Sequence, residues 1–176
     1  MVSLTFVFWM YGVLIGVIGA MRGWAKEVLV SFSVILAMTF ITLIEHYVPF
    51  VRDVLPNDSV ALFWLRSTIL IVLVCFGYQT PHIPIFATKV SREKVQDILL
   101  GLFIGAVNGY LIAGSIWFFM SEAKYPFSII AAPVPGTPVG DAAAKLLQYM
   151  PPHVLGIPAI YFAVVLAFIF VIVVFI

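Results

Sequence analysis

The chain is predicted to be all-α, a polytopic helical membrane protein with about five transmembrane helices. Two observations lead there. Hydrophobic residues make up 64% of the 176 and charged residues only 10%, against roughly 45–50% and about 25% in an average soluble domain. The apolar residues are also gathered into stretches near the ~20 residues a helix needs to cross the hydrocarbon core, separated by connections carrying Pro, Gly or charge.

The first stretch runs from Leu4 to Met21. It has the length of a signal peptide, but no basic residue precedes it and the following Gly-Ala-Met-Arg context is poor for cleavage, so a retained span is expected. The second, Val28 to Ile44, follows almost at once. One helix made of both would be roughly 60 Å long, about twice the thickness of the core. "GAMRGWAKEVL" is therefore read as a tight turn, with Gly23 taking the backbone out of helix, Arg22, Lys26 and Glu27 at one membrane face, and Trp24 among the headgroups.

"EHYVPFVRDVLPNDS" reads as a short extramembrane loop before the third stretch, Val60 to Tyr78. In "QTPHIPIFATKVSREKVQ" the semi-apolar first half is expected to lie in the interface, with Ser91 as an N-cap and Glu93 and Asp97 where a helix dipole favours carboxylates. The fourth stretch is Ile98 to Met120 and the last Gly156 to Ile176. Residues 1–120 thus form a four-helix transmembrane region, 121–155 a Pro/Gly-rich linker, and 156–176 a C-terminal span. In the linker "GDAAAKLLQYM" can form a short amphipathic helix opening near Asp141, the remainder being irregular.

Lys and Arg near the span ends set the orientation. One face carries Arg22, Lys26, Lys89, Arg92 and Lys94; the other carries Arg52, Arg66, Lys124 and Lys145, with Glu45, Asp53, Asp58, Glu122 and Asp141 beside them. The first face is expected in the cytoplasm, the N-terminus outside, the C-terminus inside and the linker extracytoplasmic. A formal charge of +1 offers no surface suited to nucleic acid. The partners expected are the lipid bilayer and other membrane subunits or a second copy of the chain.

In "GLFIGAVNGYLIAG", Gly101, Gly105, Gly109 and Ala113 recur every four residues, a stripe that lets another helix approach closely. Gly12, Gly16 and Ala20 make a shorter version, so the first and fourth spans are candidates to cross within one chain, the stripe otherwise packing against a second copy or a foreign subunit. Asn108 beside the stripe is expected to hydrogen-bond between helices. Arg66 lies inside the third span, where an ionisable group suggests function, unless its stem snorkels outward towards Glu45. His46 is a weak candidate to ligate a metal or pigment, while His82 and His153 stand in proline-flanked loops and no pair has metal-ligand spacing. Cys75 reads as a buried packing thiol.

No GxSxG, HExxH, phosphate-cradling loop or CxxC occurs, which disfavours an enzyme, and no cofactor is expected. The 16 Phe, 7 Tyr and 4 Trp suit lipid-facing helices and would equally suit a subunit touching quinones or pigments.

The order of a first span, "RGWAKEVL" opening the second, a third span, and "VQDILLGLFIGAVNGYLIAGSIWFF" resembles the CvpA family, the colicin V production proteins of the bacterial inner membrane. The resemblance covers roughly residues 4 to 120. It rests on Arg22, Gly23, Lys26 and Glu27, then on Asp97 with Gly101, Gly105 and Gly109; Asn108 stands where that pattern would have an Arg. It implies a non-enzymatic protein connected with toxin production or export, or with envelope homeostasis. The alternative is a structural accessory subunit of a photosynthetic or respiratory complex.

Overall fold

The computed structural model describes residues 4–79, 94–127, 130 and 132–175. They are folded into helices α1 (Leu4–Arg22), α2 (Trp24–Tyr47), α3 (Pro49–Val54), α4 (Val60–Tyr78), α5 (Lys94–Glu122), α6 (Pro138–Leu147), α7 (Pro151–Val154) and α8 (Ala159–Phe175). α1, α2, α4 and α5 are long and apolar enough to cross a membrane, with mean hydropathies of 2.0, 2.2, 2.2 and 1.8. α8 is the most apolar of all but has 17 residues, about 25 Å at 1.5 Å per residue. The described residues thus form an all-helical membrane protein of four long apolar helices and a shorter one. Lys89, Ser91, Arg92, Glu93 and His82 lie outside the described residues.

Local chemistry explains the helix ends. Gly23 alone separates α1 from α2, at φ 86 and ψ 155, a region essentially restricted to glycine. Its N–H still bonds Gly19 O at 2.9 Å. Ser59 caps α4 by accepting from Leu62 N–H, and Thr137 caps α6 by accepting from Gly140 N–H, each at 3.1 Å. Two features depart from the sequence reading. The connection between the second and third spans contains a helical turn, α3, started by Pro49 at its first position. The linker contains a second one, α7, headed by Pro151.

The outer faces differ from those of a soluble bundle. Large apolar side chains such as Phe6, Trp9, Phe103 and Phe162 are exposed on the outer faces, where lipid would solvate them. The interior core joins Val34, Ala37 and Met38 of α2 with Leu70 and Val74 of α4, Phe119 and Met120 of α5, and Ile160 of α8. A second cluster, Phe8, Trp117, Ala143 and Met150, seats α6 and the turn before α7 on the α1–α5 pair. Cys75 belongs to neither: it is exposed on α4, not buried as its hydrophobic neighbourhood suggested.

α1 packs chiefly on α5. The contact is backbone to backbone: a Cβ on Gly105 would stand 2.7 Å from the Ile15 carbonyl oxygen, and one on Gly109 2.8 Å from Gly12 Cα. The facing positions on α1 are Gly12, Gly16 and Gly19, so Gly19 takes the place expected for Ala20. Gly16 and Gly19 are buried. The stripe is consumed within the chain; Gly101, Gly105 and Gly109 are buried against α1 and are not a surface for a foreign helix. Ala113 lies beyond them, half-buried against the second cluster.

Candidate functional site

Polar side chains converge at two loci, one at each end of the bundle. The first gathers around Glu27, in the opening turn of α2 and fully buried. Arg22 Nη1 donates to its Oε1 at 2.5 Å. Asn108 Nδ2, on α5, lies 2.9 Å from both the Glu27 carbonyl and Oε2. Ser31, one turn along α2, donates to Asn108 Oδ1 at 2.6 Å. Arg22 also donates to the Tyr78 carbonyl at 3.1 Å and lies 4.4 Å from the centre of the Tyr78 ring. A guanidinium suits a last-turn carbonyl of a helix, where the dipole is negative.

A buried carboxylate without a partner costs several kcal/mol. Glu27 has a cation and an amide, so the locus is electrically closed. It ties α1, α2, α4 and α5 together. Asp97 completes it: its Oδ1 accepts from Trp24 N–H at 3.1 Å, capping α2 rather than its own helix. A Cβ on Gly23 would stand 2.8 Å from Asp97 Oδ2, so the glycine also makes room for that cap.

This differs from an exposed charge cluster. Of Arg22, Lys26 and Glu27, only Lys26 is exposed, while Glu27 points inward and Arg22 is half-buried. The sequence also missed Ser31, Tyr78 and Gly19. Of these, only Ser31 carries a signal in hindsight, being one helical turn from Glu27 on the same face.

The second locus lies at the opposite end. Arg66, buried six residues into α4, donates from Nε to Glu45 Oε1 at 2.5 Å and from Nη2 to Glu45 Oε2 at 3.0 Å. Its Nη1 is paired with Glu122, and its guanidinium carbon lies 5.5 Å from the Phe119 ring centre. The expected pairing with Glu45 is present, and Glu122 joins it from α5. A cavity of about 300 Å³ opens beside the triad, with Thr42 and His153 on its wall. Lys124, near Glu122 in sequence, is exposed and pairs with Asp58 at 2.6 Å, which holds the Asp58 carboxyl below its ordinary range.

His46 is exposed and stacks edge-on against Tyr47, ring centres 4.8 Å apart. Among the described residues, no three His, Cys, Asp or Glu side chains converge as metal ligands. A separate apolar groove of about 730 Å³ runs between α2, α5 and α8, walled by Phe32, Phe103 and Phe170. No protein-family model, curated protein or solved structure matches the chain.

Proposed function

We propose that this is a non-enzymatic, CvpA-like protein of the bacterial inner membrane that serves toxin production and export or envelope homeostasis. One observation carries the reading. Arg22, Gly23, Glu27 and Asp97, by which the sequence resembles that family, meet at a single locus where α1, α2, α4 and α5 are tied together beside the Gly101–Gly105–Gly109 crossing. Asp97 and the Arg22–Glu27 stretch, some 75 positions apart, would have no reason to converge if the resemblance were only apolar composition.

In the same reading the Arg22 end faces the cytoplasm, with the N-terminus outside. By sequence, the connections on that side carry five Lys and Arg (Arg22, Lys26, Lys89, Arg92 and Lys94) against four on the other (Arg52, Arg66, Lys124 and Lys145), the direction of bias that cytoplasmic connections have. Lys26 is the accessible part of the cluster and the handle for a partner. Expression in a colicin V-producing bacterium that lacks its own CvpA-family protein tests the proposal. Restored toxin export is the expected result; correct insertion without restoration counts against it.

The groove between α2, α5 and α8 favours one second reading, an accessory subunit of a bioenergetic complex that contacts a quinone or pigment. Purification in mild detergent, with mass spectrometry and an absorption spectrum, separates the two. Stoichiometric companion subunits or a chromophore would select the second.

A further inference from the structure

The geometry points to a binding site for a primary ammonium group in the cavity beside Arg66. Two carboxylates, Glu45 and Glu122, share one guanidinium, so the triad carries one negative charge more than Arg66 neutralises. Arg66 is buried and both carboxylates are only partly exposed, which leaves that charge weakly screened by solvent. The cavity of about 300 Å³ gives a ligand access to it.

The lining defines what fits. Carboxylates and the Thr42 hydroxyl accept hydrogen bonds, and a primary ammonium supplies three donors where a quaternary one supplies none. Phe118, its ring centre 6.4 Å from that of His153, adds an aromatic face that attracts cations. The rest of the wall is apolar and would accept a short hydrocarbon stem. Among the described residues no three-ligand metal group forms here, so an organic cation is the matching class. Glu45 and Glu122 stand near the ends of α2 and α5, at the depth where a bilayer presents its headgroups. The ammonium can therefore come from an ethanolamine phospholipid or from a soluble amine.

The full chain in phosphatidylcholine nanodiscs is the material for the test. One arm replaces part of the lipid with phosphatidylethanolamine and measures the lipid retained by native mass spectrometry. The other titrates ethanolamine, with choline as control, and reads thermal stability. Selective retention of phosphatidylethanolamine assigns the lipid source; stabilisation by ethanolamine but not choline assigns the soluble one. In either arm Glu122→Gln, which keeps an acceptor for Arg66 but removes the excess charge, is expected to weaken binding about tenfold. Equal retention of both lipids together with equal responses to ethanolamine and choline would overturn the proposal, as would unchanged binding by folded E122Q. Should E122Q fail to fold, the ethanolamine and choline comparison on the unmodified chain decides alone.

Discussion

Asn108 Nδ2 reaches the Glu27 carbonyl and carboxylate at the same distance, 2.9 Å, so one amide holds both the backbone and the side chain of a buried acid. The acid's charge is balanced from elsewhere, by Arg22. These two partners should therefore respond differently to mutation. Arg22→Ala strands a buried carboxylate and is expected to destabilise the bundle by about 3 kcal/mol; Asn108→Leu removes the amide's interhelical hydrogen bonds to Glu27 and from Ser31 but leaves the acid its cation, and should cost less, about 1–2 kcal/mol. Adding Glu27→Gln to Arg22→Ala should restore part of the loss. Unfolding by SDS in mixed micelles measures all three, and a double mutant no more stable than R22A would rule out the stranded-charge account.

The crossing of α1 and α5 offers a contrast between two glycines. A Cβ at Gly105 meets backbone at 2.7 Å, while one at Gly12 meets nothing within 4 Å. Gly105→Ala is expected to cost about 1–3 kcal/mol through overpacking, and Gly12→Ala to stay within about 0.5 kcal/mol of the parent. Equal effects in the same assay would mean that the helices do not cross at this register.

Gly23→Ala combines two penalties, a backbone at φ 86 and a clash with the Asp97 carboxylate. It should cost about 2 kcal/mol or more. Asp97→Ala loses the cap on α2 alone and should cost about 1 kcal/mol. Adding D97A to G23A should relieve the steric part, and strictly additive losses would show that the carboxylate and the glycine do not meet.

The pair of Lys124 and Asp58 gives the pH dependence. Lys124 lowers the Asp58 pKa by hydrogen bond and charge, so any stabilisation is present above the ordinary carboxyl value of 3.8 and fades as pH falls through the lower folded-state pKa. Lys124→Ala should move the Asp58 titration, followed by NMR, upward towards 3.8. Because both groups are largely exposed, thermal stability at neutral pH should not change measurably. An unmoved titration would show that the pair does not form.

Hydropathy alone was sufficient for the four long spans, because lipid demands long apolar helices whatever the sequence order, while the expected fifth span is a shorter apolar helix. For Arg66 the sequence left two readings open, a functional charge inside the span or a stem reaching outward to Glu45, and the pair with Glu45 is present. Hydropathy did not reveal which charges turn inward. Lys26 and Glu27 are adjacent, and one step along a helix is about 100° of rotation, so their opposite fates depend on where α5 places Asn108. Glu122 joining Arg66 from 56 residues away, Asp97 capping a helix not its own, and Gly19 replacing Ala20 are likewise facts of tertiary register. Cys75 misled for a related reason. In a membrane an apolar neighbourhood no longer implies burial within protein, because the outer face is equally apolar.

Because α1 rests chiefly on α5, its partner emerges from the ribosome only after α2 and α4. At elongation rates of about 5–20 residues per second, α1 waits roughly 5–20 s for it. During that interval the glycine face of α1 is open to lipid or to an insertion chaperone. The buried carboxylate of Glu27 waits equally long for the Asn108 amide, with only Arg22, five residues before it, to neutralise it. The one-residue break at Gly23 thus lets the charge pair form without waiting for α5, before the bundle that later encloses it exists.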